Sequence, residues 1–276
     1  MLRWLLPTFA LAIFASATIA DDVPVLSPKD DPIVLFNGKD LTNFYTYLGP
    51  PQGKKEPLGK NNDPLKVVNV VEEDGKPAIR VSGEVMGYFA TEREFENFHL
   101  IVEFKWGTKT FPPRETKGRD SGVFVNCNGP DGAVGGLWMA GIEHQVMEGA
   151  TGDLILVGGK DKGHKFTATV RKDGNKWYYD PKGEPREFNG GMINWFAHDP
   201  DWKDTLGFRG KNDVEKPAGE WNTIECICAG DTITNVLNGK LVNNATNVNP
   251  RKGKLLFQSE GAEIFFRKIE LKPVEK

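Results

Sequence analysis

Between Phe98 and Trp106 the chain alternates strictly, with Phe98, Leu100, Val102, Phe104 and Trp106 on one parity and His99, Ile101, Glu103 and Lys105 on the other. A period of two marks a strand with one buried face, because successive side chains leave a strand on opposite sides. The same pattern predicts a hairpin over 67–71 and 78–82 turning at Asp74-Gly75, and another over 232–237 and 241–244 turning at Asn238-Gly239. Both dipeptides tolerate the positive φ angles of a tight hairpin turn. Further short strands are predicted near Leu35 and over 87–90, 166–170, 176–179, 221–228, 255–258 and 264–271, whereas 45–64, rich in Gly, Pro, Lys and Asn, reads as an exposed loop. No stretch of helical period and useful length follows the N-terminus. Many short strands separated by turn residues predict an all-β fold, an antiparallel two-sheet sandwich.

One region carries more than packing information. Residues 119–159 read as two strands joined by a Gly-rich loop, then a third strand. In the second strand Ile142, His144 and Val146 point one way, while Glu143 and Gln145 point the other, with Glu148 just beyond. A strand with one wet face would look similar. The company is less ordinary, since Arg119, Asp120, Trp138 and Asp153 fall within the same stretch. A second unusual segment, 192–210, crowds Trp195, His198, Trp202 and Arg209 among Asp-Pro and Pro-Asp turns. Aromatic faces stack on sugar C–H faces, and charged groups bind vicinal hydroxyls, so both segments are candidates for a sugar cleft. The alternative is that these Trp side chains plug one end of the sandwich.

With 276 residues, 39% of them hydrophobic, the chain can bury a substantial core. Its net charge of −3 gives no footprint for nucleic acid. Residues 1–20 have the charge, apolar run and small-residue end of an export signal, cleaved before Asp21. Residues 21–32 then read as a linker and 33–276 as the sandwich domain. The apolar run at the start is short for a membrane span, so a periplasmic or secreted protein without stable membrane insertion is expected. The three cysteines have no metal-site spacing. Cys127 could bridge to Cys226 or Cys228, or all three could be small buried hydrophobes.

The segments LFNGKDLTNF, GYFATEREFENFHLIVEFKW, RDSGVFVNCNGPDG, IEHQVMEGATGD, GEWNTIECICAGDTITNVLNGKLV and FQSEGAEIFFRKIEL, in this order, resemble the 3-keto-disaccharide hydrolase family over about residues 33–272. The resemblance implies a jelly-roll sandwich of the concanavalin A-like lectin and glucanase type. It also implies cleavage of glycosides already oxidised at C3 of the sugar. Phe44 stands where the family commonly has Trp, and His144 carries no family role. Glucanases of the laminarinase type are similar in placing acids at offsets i, i+2 and i+5, which here hold Glu143, Gln145 and Glu148. A bulge between them would be needed to bring Glu148 to the face of Glu143. On this reading Glu143 is base or acid, Gln145 orients the substrate, and Glu148 is a second carboxylate or holds a ligand. Arg119, Asp120, Trp138, Asp153, Trp195, Trp202 and Arg209 would line the cleft for an oligosaccharide or glycoside. Glu143, His144, Glu148 and Asp153 could together hold a divalent ion such as calcium. The competing readings are a non-catalytic, lectin-like carbohydrate-binding protein and a structural module of the cell envelope.

Overall fold

The computed structural model describes residues 24–159 and 163–274, and the elements described are all β-strands. The expected export signal, 1–20, lies outside these residues. The expected linker is tied down from its middle: Leu26 bridges to Phe95, and Ser27 Oγ donates to the Glu96 carbonyl at 2.6 Å.

The ladders are antiparallel and form two sheets. The back sheet runs, in spatial order, through Lys176–Tyr179, Lys165–Asp173, Lys240–Asn249, Thr232–Leu237, Asn222–Ala229, Phe98–Thr110, Ala262–Lys272, Lys76–Val81 and Val68–Glu73. The front sheet runs through Gly191–Ile193, Leu154–Val157, Ala140–Met147, Asp120–Asn128, Lys252–Ser259, Gly87–Thr91, Phe44–Leu48 and Gly59–Lys60. Neighbours far apart in sequence, such as Asp120–Asn128 beside Lys252–Ser259, give the crossed connections of a jelly roll.

Both predicted hairpins form. Asp74 and Gly75 have φ of 51° and 69°, and Asn238 and Gly239 have 50° and 77°. The alternation of Phe98–Thr110 divides as expected: its even-numbered apolar residues join the core between the sheets, and His99 lies on the outside, 2.7 Å from Glu225. One expectation fails. The loop forecast from Tyr45 begins instead at Gly49, because Phe44–Leu48 (FYTYL) is a buried front-sheet strand. Its aromatic and β-branched residues suit a strand, and the polar stretch after it masked that signal.

The same alternation sorts the front sheet. Val123, Val125, Ile142, Val146 and Phe257 face the core, whereas Phe124, Leu256, Tyr88 and Tyr45 form a separate apolar cluster on the outer face. His144 is core-facing, with its Nδ1 3.9 Å from Cys226 Sγ of the back sheet. Burial pushes its imidazole down to about 4. All three cysteines are free and buried. Cys127 belongs to the outer cluster, while Cys226 and Cys228 lie between the sheets, so the front sheet separates the pairs that a disulfide would have joined.

Candidate functional site

Glu143, Gln145 and Met147 project from the outer face of the front sheet, and Asp120 lies opposite Met147 on the neighbouring strand. Gln145 Nε2 donates to Asp120 Oδ1 at 3.1 Å. Arg114, from the loop before that strand, donates to Asp120 Oδ2 at 3.0 Å and to Asp204 Oδ1 at 3.1 Å. Its Nε donates to the Gly118 carbonyl at 2.8 Å, which fixes the guanidinium. Among the described residues, no protein group donates to the Glu143 carboxylate, although the residue is only 4% exposed. Gly122 makes room for it. A Cβ at Gly122 would collide with Glu143 Oε1 and lie 2.7 Å from the Phe124 ring. The φ of Gly122 is not in the left-handed region, so the missing side chain matters there rather than backbone freedom.

The electrostatics follow from this crowding. Burial raises the Glu143 carboxyl well above the ordinary carboxylate range, and the charges of Glu260 and Asp120 add to that. Asp120 is raised for the same first reason, burial, and by Glu260, against the pull of Arg114. Glu260 is raised by burial, also opposed by Arg114. Arg114 thus counters the charge of Asp120 and Glu260 but not that of Glu143, so in this poorly solvated place the carboxyls hold their protons to higher pH than exposed ones do. Trp138 is half-buried against the aromatic cluster of the same face.

The remaining expected site residues lie elsewhere. The pairing from Ile142–Val125 to Met147–Asp120 is unbroken, and the bulge falls earlier, between Ala140 and Ile142. Alternation therefore turns Glu148 away from Glu143. Its carboxylate accepts from the Arg119 and Gly207 backbone N–H groups, both at 3.0 Å, and pairs with the Arg119 guanidinium. Asp153 is 1% exposed and accepts from the Trp195 N–H at 2.7 Å, with His198 Nδ1 3.0 Å away. Burial raises its carboxyl, partly opposed by His198. Trp195 belongs to the core between the sheets, where it plugs rather than lines. Trp202 and the exposed Arg209 line a separate open cavity of about 860 Å³ formed by 199–211. Trp202 Nε1 donates to the Glu148 carbonyl at 2.9 Å.

The ion site suggested by Glu143, His144, Glu148 and Asp153 is therefore not assembled. Glu143 faces outward and His144 into the core, Glu148 and Asp153 are engaged with Arg119 and His198, and no cluster of three or more His, Cys, Asp or Glu suited to a metal occurs among the described residues. Arg114, Glu260 and Gly122 were not anticipated. The Glu260-Gly261 pair reads in sequence only as a turn, and Arg114 only as one cation in a basic loop. The sequence did offer one signal: Gly122 interrupts a strand of large side chains beside Glu143.

A profile of the 3-keto-alpha-glucoside-1,2-lyase-like domain matches residues 31–272. No curated protein matches the chain significantly. Similar solved structures include a candidate glycosyl hydrolase of Parabacteroides distasonis, 18% identical, covering 88% of this chain and 94% of its own, with a TM-score of 0.47. The β-glucanase of Bacillus licheniformis is 12% identical, with coverage of 91% and 100% and a TM-score of 0.45. The carbohydrate-binding module CBM66 of Bacillus subtilis is 9% identical, with coverage of 73% and 89% and a TM-score of 0.39.

Proposed function

This chain belongs to the 3-keto-alpha-glucoside-1,2-lyase-like domain family, which makes its function carbohydrate-active and glycoside-related, and from that premise we propose that it cleaves glycosides oxidised at C3, with Glu143 as the proton-transfer group. The observation that carries the reading is the Glu143 carboxyl itself: on the outer sheet face, without a hydrogen bond from any described residue, and raised by burial and by neighbouring carboxyls. When ionised it is a stronger base than an exposed glutamate. When protonated it can return the proton.

A C3 ketone acidifies the hydrogen on C2. Glu143 takes that proton, the C2–H electrons form the C1–C2 double bond, and the C1–O bond breaks toward the leaving group. The leaving oxygen takes up a proton, for which the carboxyl group of Glu143, Asp120 and Glu260 is the nearest store. Water then adds across the double bond to give the free 3-keto sugar. Two ordinary carboxylates in a retaining arrangement are not needed for this route, which suits a face where Gln145 follows Glu143. We also propose an extracytoplasmic workplace, from the N-terminal 20 residues; an exported protein beginning at Asp21 would support it, and an intact N-terminus would oppose it.

The test is incubation of the protein with 3-keto-glucosides and their unoxidised parents, with Glu143→Gln alongside. Cleavage of the keto substrates alone, reduced 10²–10⁴-fold in the variant, is expected. Binding of either sugar without turnover would favour the carbohydrate-binding reading instead. A folded variant retaining turnover within about tenfold would remove Glu143 from the chemistry.

A further inference from the structure

Beside Gly122, on the strand Lys252–Ser259, stands a side chain that the reading so far leaves unused. Gln258 is paired with Tyr88 on one side, and lies one residue beyond the Phe257–Val123 pair on the other, which brings it alongside Gly122. Ser121 Oγ donates to its backbone carbonyl at 2.8 Å, holding the two strands in that register. Gln145 is the partner of Gly122 on the opposite flank. Gln145, Gly122 and Gln258 therefore form one row across the sheet. The glycine in the middle leaves its place to the Glu143 carboxylate.

Gln258 is only 3% exposed, and its side-chain amide makes no hydrogen bond among the described residues. Gln145 Oε1 is likewise buried and unpaired. Exchanging the oxygen and nitrogen of Gln258 would not remove the vacancy, because neither end has a partner. Buried polar atoms are nearly always satisfied, so the unmade bond of Gln258 Oε1 at this place calls for a ligand. Leu256 is apolar and the Tyr88 hydroxyl donates to Asp131 Oδ1, so neither neighbour competes for it.

Resting on the function proposed above, we infer that Gln258 is a substrate-positioning residue that reads the ketone together with the hydroxyl on the adjoining carbon. A primary amide presents a donor and an acceptor side by side. A keto group next to a hydroxyl-bearing carbon presents an acceptor and a donor at matching spacing. The amide torsion is broad and roughly two-fold, so Gln258 can turn to present both ends at little cost. The free Oε1 of Gln145 takes a further hydroxyl from the other flank. Held at both flanks, the sugar ring lies over Gly122, with its acidic C2–H presented to Glu143.

Because no described residue bonds to the Gln258 amide, its loss separates binding from stability. Gln258→Leu and the unbranched Gln258→Met are compared with the wild type for melting temperature and for kcat/KM on methyl 3-keto-glucoside. The expected result is a melting temperature equal to or above wild type, with kcat/KM lowered about ten- to a hundredfold. A kcat/KM within threefold of wild type overturns the assignment, as does a lowered melting temperature in both variants, which would mark a structural role. If the wild type itself neither binds nor cleaves the keto-glucoside, the proposed function falls and takes this inference with it. If the wild type cleaves it and the variants do so equally well, only the inference falls.

Discussion

At Glu143 the decisive quantity is the balance between desolvation and local charge. Burial is the largest cause of its raised pKa, and Asp120 is one of two negative neighbours that raise it further. Replacing Asp120 by Asn removes one negative charge and keeps an oxygen for Gln145 Nε2, while the oxygen that accepts from Arg114 becomes an amide NH2. The Glu143 carboxyl then ionises more readily, at lower pH. The acid limb of the pH profile of kcat/KM should therefore move down in Asp120→Asn, toward the ordinary carboxylate range. Profiles measured with a 3-keto-glucoside check this; an unmoved or raised limb would mean that the titrating group is not beside Asp120. The wild-type limb should lie above that of an exposed glutamate, because the carboxyl is raised.

The segment from Trp195 to Glu215 has no regular structure of its own and is held by side chains from the front-sheet strands and their ends. Asp153 takes the Trp195 N–H, Glu148 takes the Gly207 N–H, and Asp204 meets Arg114. Within the segment, Asp199 accepts from the backbone N–H groups of Asp201 and Lys211, at 2.9 and 3.0 Å. Glu148 is thus a tether, buried with its partner Arg119 at 5% and 12% side-chain exposure. Glu148→Gln keeps the shape but leaves Arg119 without its counter-charge, and breaking a buried pair costs about 3–5 kcal/mol. A lowered melting temperature and faster proteolytic nicking within 199–211 are expected. Catalytic use of Glu148 would instead predict lost turnover at unchanged stability, so melting and kinetics together decide its role.

Across the whole molecule, several buried carboxyls are raised, so stability is linked to pH with a definite sign. Glu215 is the clearest case: fully enclosed, it accepts from Trp106 Nε1 at 2.6 Å, and burial pushes its carboxyl up to about 8 from 4.5. Folded, it holds its proton; unfolded, it releases it near its ordinary value. The stability it contributes is fully present below about 4.5 and is lost as pH rises toward about 8. Glu143, Asp120 and Asp153 act in the same direction. The melting temperature should therefore be highest in mild acid and fall toward pH ~8. Glu215→Gln, which keeps an oxygen for Trp106, should flatten that fall by an amount on the order of 2–4 kcal/mol. Thermal melts of both proteins across this range check it; parallel curves would show that Glu215 is ionised in the folded state.

The architecture was legible because its signals are local. Alternation fixes which parity of Phe98–Thr110 is buried, and Asp74-Gly75 and Asn238-Gly239 need no distant partner to turn the chain. Alternation also placed Glu143 and Gln145 on one face and His144 on the other. It could not tell which strand would lie next to them. Gln258 and Glu260 reach the site only because Lys252–Ser259 pairs with Asp120–Asn128, and Arg114 only because its loop folds back on Asp120. Such pairings rest on the burial of whole sheet faces, a property no single segment carries. For the same reason Trp195 and Asp153 read in sequence as cleft residues and Glu148 as a second carboxylate, although folding uses them to plug the core and tether a loop. Their side chains have the chemistry of a sugar site, but long-range packing satisfies that chemistry internally. At Glu143, Gln145 and Gln258 it leaves the carboxylate and both amide oxygens unpaired.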